Sequence, residues 1–416
     1  MTDPGELDIV HVDLAIDADR SRHIGWLRRG DGPLCFEYAA EWLDSSAFMV
    51  LDPMLGHYPG PQYPWAERDN FGLFDDSSPD RWGRLLMRRR EALRAQAEDR
   101  RARTLTAWDF LLGVDDTTRM GALRLRDPAS GAYLDRSEVP VPPVTELRRL
   151  ESASWQMEAA LETDDLSALD YWLRVLVAPG SSLGGARPKC SFRMPDGSLW
   201  LAKFPAHGDD HDVGLWEQVL MRLAMRAGIT TADSQLQDFG RRYRTFCARR
   251  FDREGQRRLP FVSAMNFAEK VDGEAASYLD IVQALDDHGT RDVKAELAQL
   301  FRRVVFNILV GNRDDHLRNH GFIVSPEGIR LAPAYDLNPM PEKADHALAI
   351  DETSTAPDLS SALATASLYA LRGDQAGRIV DEIREVVASW QDEARTQGAS
   401  RAEILLMAPA FAEKGS

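Results

Sequence analysis

Cysteine is nearly absent from this sequence: Cys35, Cys190 and Cys247 are the only three in 416 residues. So few and so scattered a set supports neither a disulfide framework nor a cysteine-based zinc site, and the three read as reduced, structural thiols. Long apolar runs are missing too, since no stretch approaches the about 20 residues that a membrane helix needs. The segment from Met1 to Asp19 carries acids where a secretory signal carries basic residues ahead of an apolar stretch, so the expected compartment is the cytoplasm. Positive charge is in deficit. With 50 Lys and Arg against 66 Asp and Glu the net charge is −16, which argues against the whole chain binding a phosphate backbone. No internal repeat or low-complexity segment stands out. What is present, 44% hydrophobic and 28% charged residues, is enough for two or three domains with real cores.

The most informative stretch runs from Gly311 to Asp336. It reads Gly311-Asn312-Arg313-Asp314-Asp315-His316-Leu317-Arg318-Asn319, and later Ala334-Tyr335-Asp336. Asp314 and Asn319 stand five positions apart, the spacing of the catalytic Asp and the metal-binding Asn in a protein-kinase catalytic loop. Between Asn319 and Asp336 two β-favouring runs, Gly321–Val324 and Ile329–Leu331, flank Ser325-Pro326-Glu327-Gly328, with Pro second and Gly fourth as a type I turn prefers. That hairpin would bring the second Asp back toward the Asn. Upstream, Leu297, Leu300, Phe301, Val304, Val305, Ile308 and Leu309 repeat at helical spacing, with Gly311 as the stop. Phosphoryl transfer asks a protein to position a nucleophile and neutralise charge. Asp314 would orient the attacking hydroxyl, while Asn319 and Asp336 offer hard oxygen ligands for Mg²⁺. Of His316 and Arg318, one would brace the loop and the other meet phosphate charge. The competing reading is a solvated polar loop, and for Asp315 that reading is preferred.

A kinase also needs a cover for the phosphates. The candidate is Gly180-Ser181-Ser182-Leu183-Gly184-Gly185-Ala186, whose glycines let main-chain N–H groups approach an anion. Two strands are expected next, Lys189 to Met194 and Ser198 to Phe204, joined by a Pro195-Asp196-Gly197 turn. Lys203, ending an otherwise apolar strand, is the choice for the ammonium that contacts the α- and β-phosphates. Taken alone, a glycine-rich turn beside a strand lysine is weak evidence, and an ordinary loop with a snorkelling lysine is the preferred reading.

Taken together these segments resemble the HipA family of bacterial serine/threonine kinases, the toxin halves of type II toxin–antitoxin modules. The matching residues are Ser182-Leu183-Gly184-Gly185-Ala186-Arg187-Pro188-Lys189, Leu201-Ala202-Lys203-Phe204-Pro205, Arg250-Phe251-Asp252-Arg253, and Gly311-Asn312 with Asp314, His316 and Asn319. Pro333 with Tyr335-Asp336 follows. Nearer the N-terminus, Gly25-Trp26-Leu27, Phe36-Glu37-Tyr38 with Glu41-Trp42-Leu43, and Pro79-Asp80-Arg81-Trp82-Gly83 also match. The resemblance implies an α+β, protein-kinase-like bilobal fold with a β-rich N-lobe, a mainly helical C-lobe and an extra N-terminal β-rich subdomain. It implies ATP and Mg²⁺ as cofactors and a protein hydroxyl as acceptor. On the matching positions, Asp314, Asn319 and Asp336 are catalytic, with Asn319 and Asp336 holding Mg²⁺. Ser182, Leu183, Gly184, Gly185, Lys203, Arg249, Phe251, His316 and Arg318 bind ATP, and Ser182 is the autophosphorylated loop serine. A HipB-like helix-turn-helix antitoxin is the implied partner, DNA is met only through it, and an aminoacyl-tRNA synthetase or another translation factor is the implied protein substrate.

Two positions depart from the family. Arg249 stands where members commonly carry Glu beside adenine, and Arg318 stands where many have Lys. Two rival functions follow: a small-molecule kinase on the same architecture, and a catalytically degenerate binding subunit of an antitoxin–DNA repressor complex. Composition breaks divide the chain into an N-terminal subdomain (1–138), a kinase N-lobe (144–253) and a helical C-lobe (254–416), with Val139-Pro140-Val141-Pro142-Pro143 as the first junction. Nine arginines between Arg81 and Arg103 are expected on a helix capped by Ser78 and opened by Pro79, with Trp82, Leu85, Leu86 and Leu93 as its buried side. A solvated basic face interrupted by Glu91, Glu98 and Asp99 is preferred there to a partner surface. Helices are also expected over Leu166–Val177, Tyr278–Leu285, Val293–Val310 and Gln375–Arg395. Glu217 is a candidate partner for Lys203 but reads first as an exposed helical residue, and Asp252 with Arg253 read as a structural ion pair first and as site residues second. The run Asp209-Asp210-His211-Asp212 reads as a helix cap rather than a metal site.

Overall fold

Alternation along Ile9–Ala15 turns Val10, Val12 and Leu14 into the protein, and this segment becomes the seam of an antiparallel sheet. The computed structural model describes residues 7–15, 17, 20–30, 32–65, 68–134, 141–163 and 187–412. The chain packs as two units: Met1–Gly208 with Arg249–Val262 and Val324–Pro326, and Asp209–Ala248 with Ser263–Ile323 and Glu327–Ser416.

In the first unit, strands β1 (Ile9–Ala15), β2 (Ser21–Arg28), β3 (Cys35–Tyr38), β4 (Pro61–Gln62) and β5 (Leu123–Arg126) lie in the order β4-β3-β2-β1-β5. Phe36, Phe71 and Phe74 pack ring against ring, and they, Trp42 and Trp108 are all nearly inaccessible to solvent. Gly25 sits where a Cβ would lie 2.2 Å from the Glu37 carbonyl oxygen, so cross-strand contact itself requires glycine. The arginine-rich helix is Arg81–Ala97. Its cap is Asp80, whose Oδ1 accepts from the Gly83 N–H at 2.7 Å, not Ser78. An Asp placed directly before the helix reaches the third N–H without bending the chain. The inward side is Trp82, Leu86, Met87, Glu91 and Ala95; Leu85 and Leu93 are only half-buried. Glu91 is therefore no part of a solvated face, because Arg100 (2.6 Å) and the Arg103 N–H (3.0 Å) satisfy it under cover. The hairpin β6 (Lys189–Arg193) and β7 (Leu199–Lys203) pairs Lys189 with Lys203. Ahead of it Pro143 is extended, at φ −74° and ψ 162°, and the Arg193 N–H donates to the Pro142 carbonyl at 2.9 Å.

In the second unit, Asp212 caps the helix Val213–Arg226 through the Leu215 N–H at 3.0 Å, as the acidic run implied. Strands β8 (Ser234–Gln237) and β9 (Thr245–Arg249) pair from Ser234↔Ala248 to Gln237↔Thr245. The helix Val293–Val310 turns Leu297, Leu300, Phe301, Val304, Val305 and Ile308 inward and is buried throughout its second half, from Arg303 to Val310, while Lys294 near its start is exposed. Gly311 ends it in the left-handed region at φ 64°, with the Ala410 carbonyl oxygen 2.5 Å from where a Cβ would stand. The expected single helix over Gln375–Arg395 is instead Gly373–Ala388 followed by Trp390–Thr396. Ser389 breaks it: its hydroxyl returns to the Val386 carbonyl at 2.7 Å and also accepts from Arg226 at 2.9 Å.

Candidate active site

The polar loop that follows Gly311 is built from the inside outward. Asp315 is the inner anchor: its Oδ2 accepts from the Tyr278 hydroxyl (2.6 Å) and the Asn307 amide (2.9 Å) and pairs with His320 Nε2 (2.6 Å). Both Asp315 and His320 are almost wholly buried. Asp315 is thus not a solvated loop residue, contrary to the sequence expectation. Burial by itself would raise its carboxyl, but the His320 charge, the hydrogen bonds from His320 and Tyr278, and His316 hold it below the ordinary carboxylate range. The same surroundings push the Tyr278 hydroxyl well up, through burial first and the Asp315 charge second. Asn307 and Asn312 extend the network with a side-chain bond of 3.1 Å, and the Asn338 N–H reaches Asn312 Oδ1 at 3.4 Å. Tyr278, Asn307 and His320 were not singled out from the sequence. The signal available was Asn307, a polar residue in the middle of an apolar helical stripe.

The outer edge carries the residues that spacing selected. Asp314 is half-exposed and its carboxylate meets the Lys343 ammonium. Asn319 lies at the end of a short 3₁₀ turn, Leu317–Asn319, and its amide N–H donates to the Asp314 carbonyl at 3.3 Å. That use of the nitrogen leaves the amide oxygen as the atom with lone pairs to offer. After the turn come the two strands Gly321–Ser325 and Gly328–Leu331, and the Ala332 N–H returns to the Gly321 carbonyl at 2.8 Å. Buried Arg303, on the helix Val293–Val310, fixes the return by donating to the Ala332 carbonyl at 2.5 Å. Burial lowers that guanidinium to about 10, with Asp315 pulling the other way. The Tyr335 hydroxyl then donates to the Arg318 carbonyl at 2.7 Å. The residues immediately after those two are Asp336 and Asn319, so one hydrogen bond ties together the segments that carry the candidate metal ligands. Asp336 adopts φ 60°, a left-handed conformation uncommon outside glycine. Arg318 itself pairs with Asp272 at 2.9 Å, and His316 is half-buried.

The candidate nucleotide residues of the first unit are placed separately. Lys203 ends β7, half-buried, directly across from Lys189. Lys189 is buried and neutralised by Asp80 at 2.7 Å, which removes the like-charge repulsion that two cross-strand lysines would otherwise suffer. Two motifs far apart in sequence, at 79–83 and 182–189, therefore meet in a buried ion pair that spacing gave no reason to expect. Arg249 is exposed and Phe251 packs at 5.6 Å from Phe261. Asp252 accepts from Arg250 (2.5 Å), Arg253 (2.5 Å) and the Gly121 N–H (2.8 Å) with no exposure, which is the structural ion pair expected of it. Ser182, Leu183, Gly184 and Gly185, and the expected helix over Leu166–Val177, lie outside the described residues. Glu217 is buried, not an exposed helical acid.

Among the described residues no cluster of three or more His, Cys, Asp or Glu is arranged for a metal. The donors of Asn319 and Asp336 are of the hard-oxygen class that suits Mg²⁺, which ordinarily completes its shell with water and phosphate oxygens. The residues fit that ion and no softer one.

A family model described as the HipA-like C-terminal domain matches residues 181–390, half of the chain. The chain belongs to the HipA family. It is 25% identical over 223 residues to the serine/threonine-protein kinase toxin HipA of Shewanella oneidensis, and the match spans 47% of this chain and 50% of that protein. Thus it spans about half the length of the relative it matches. Among solved structures, the Shewanella oneidensis toxin–antitoxin complex of HipA, HipB and operator DNA superimposes with a TM-score of 0.63 at 17% identity, covering 97% of this chain and 95% of that one. At that identity the likeness speaks for the fold, which is the α+β, kinase-like fold expected. No helix among the described residues is long and apolar enough to cross a membrane.

Proposed function

We propose that this protein is an ATP-dependent serine/threonine protein kinase, the toxin of a toxin–antitoxin pair. The observation that carries the reading is the Tyr335–Arg318 hydrogen bond, because it holds the Asp336 segment against the turn that bears Asn319. Asp314, half-exposed beside Asn319, would accept or orient the proton of the attacking hydroxyl. Asn319 and Asp336 would hold Mg²⁺, and that ion when bound supplies neutralisation of phosphate charge. Lys203 would meet the α- and β-phosphates as a point charge, with Arg318 and His316 near the catalytic loop and Phe251 and Arg249 toward the base. The three-part division into 1–138, 144–253 and 254–416 belongs to the same proposal.

The remaining assignments rest on the family. They are a HipB-like helix-turn-helix antitoxin, DNA contact through it alone, a translation factor such as an aminoacyl-tRNA synthetase as substrate, autophosphorylation at Ser182, and a cytoplasmic setting. A phosphoserine in the Gly-rich loop would bring a charge of about −2 beside ATP phosphates and repel them. Two observations favour a second reading, a degenerate binding subunit: the Asp314 carboxylate is already engaged by Lys343, and Arg249 replaces the family's usual acid. Incubation with labelled ATP and Mg²⁺, alone and with cell extract, separates the two. Label transferred by the wild type and lost in Asp314→Asn and Asp336→Asn supports the kinase; antitoxin binding without transfer supports the subunit.

A further inference from the structure

The first unit contains a small cavity of about 170 Å³ that neither the catalytic loop nor the candidate nucleotide residues use. It lies where the end of β1, the start of β2, the β6–β7 turn and the ribbon of β10 (Arg253–Glu254) and β11 (Arg257–Arg258) converge. Four guanidiniums line it: Arg124, Arg193, Arg253 and Arg258. Their counter-charges are few. Asp116 serves both Arg124 (2.7 Å) and Arg258 (2.8 Å), while Asp252 serves both Arg253 (2.5 Å) and Arg250 (2.5 Å). Arg193 spends one N–H on the Gly197 carbonyl at 3.1 Å and has no acidic partner among the described residues. Five guanidiniums thus face two buried carboxylates. The one acid in the wall, Asp17, is half-exposed and paired with Arg20 at 2.6 Å.

The electrostatics agree with this count. Burial, Arg250 and Arg258 together pull Arg253 down to about 9, with Asp252 and Asp116 opposing. A guanidinium keeps its proton near neutral pH, so Arg253 stays charged, with burial as the main penalty on that charge and Arg250 and Arg258 adding to it. Uncommitted donors are concentrated on Arg193 and Arg258: each guanidinium has five N–H groups, of which Arg193 commits one to Gly197 and Arg258 two to Asp116, whereas Arg124 is spent on Asp116 and Ser21 and Arg253 on Asp252 and main-chain carbonyls. We infer that this cavity is a binding site for a phosphate dianion, either free or as the terminal group of a phosphomonoester. The size selects the ligand: a pocket for a drug-sized molecule is about 300–1,000 Å³, so a nucleotide is too large while a tetrahedral anion with a few waters fits. A planar fork of N–H groups on several sides matches phosphate oxygens bidentately.

The inference does not depend on the kinase reading, and its test avoids the nucleotide residues. Isothermal titration of the full chain with inorganic phosphate at low salt should give saturable one-to-one binding, unchanged in Lys203→Ala. Arg193→Glu should weaken it about 10-fold or more, and Asp17→Asn should tighten it a few-fold, since both change charge at the cavity wall without touching a buried pair. Arg258→Gln serves as a second lesion, with circular dichroism showing that the fold is kept. A short phosphoserine peptide titrated in parallel distinguishes the sources: tighter binding than phosphate points to a phosphorylated side chain, equal or weaker binding to the free anion. No saturable uptake up to about 10 mM phosphate, or uptake indifferent to both Arg193→Glu and Asp17→Asn, overturns the assignment.

Discussion

Asp314 and Asp315 are neighbours in sequence and opposites in physics. The inner edge of the loop, around Asp315, is buried and saturated: a tyrosine, an asparagine and a histidine all spend their hydrogen bonds on one carboxylate oxygen. The outer edge, around Asp314, is half-exposed, and what it engages is a mobile class of side chain, a lysine at the surface. The difference assigns the labour. A buried, fully bonded acid gives shape and resists change, whereas an exposed acid held only by a surface lysine can exchange partners.

The comparison can be broken most sharply at its inner side. Asp315→Ala leaves His320 and Tyr278 buried without their acceptor and should cost about 3–5 kcal/mol, read as a shift in the urea midpoint. A loss below 1 kcal/mol would mean that the inner anchor is not one. On the outer side, Asp336→Asn and Asp314→Asn should each slow phosphoryl transfer about 10²-fold or more, close to 2.7 kcal/mol, with the unfolding midpoint almost unmoved. If either variant melts as badly as Asp315→Ala, inner and outer edges are not distinct.

Buried His346 sharpens the contrast through pH. Burial lowers its imidazole from 6.5 to about 4, so between those values the unfolded chain binds a proton that the folded chain does not. Stability should therefore fall as pH drops from about 6.5 toward 4, by about 1.4 kcal/mol per pH unit at most. His346→Gln should flatten that slope in urea titrations at pH 7 and pH 5. The smallest effect is expected of Lys343→Met. An exposed ion pair is worth about 0.2–1 kcal/mol, so stability should change by no more than that while transfer rises at most a few-fold. A ten-fold fall in transfer instead would place Lys343 in the machinery.

Much of this was legible beforehand, for identifiable reasons. The helix Val293–Val310, the stop at Gly311, the β6–β7 hairpin and the returning strands after Asn319 all follow from periodicity and turn chemistry, which are local. What failed was burial of charge. Asp315, Glu91 and Glu217 read as solvated because carboxylates usually are, and each is inside because a partner or cover arrives from elsewhere in the chain. The cap at Asp80 was missed by two residues and the break at Ser389 was missed altogether, where side-chain hydrogen bonds overrule periodicity.

By itself, then, the order of residues determined which elements form, where the polar loop sits and which oxygen donors it offers, since these depend on neighbours within a few positions. Only the tertiary structure decided which acid is anchor and which is exposed, that Asp80 and Lys189 pair, and that Tyr335 closes on Arg318. Those are contacts between distant segments, and a hydrogen bond is worth keeping only where both partners have already been brought out of water.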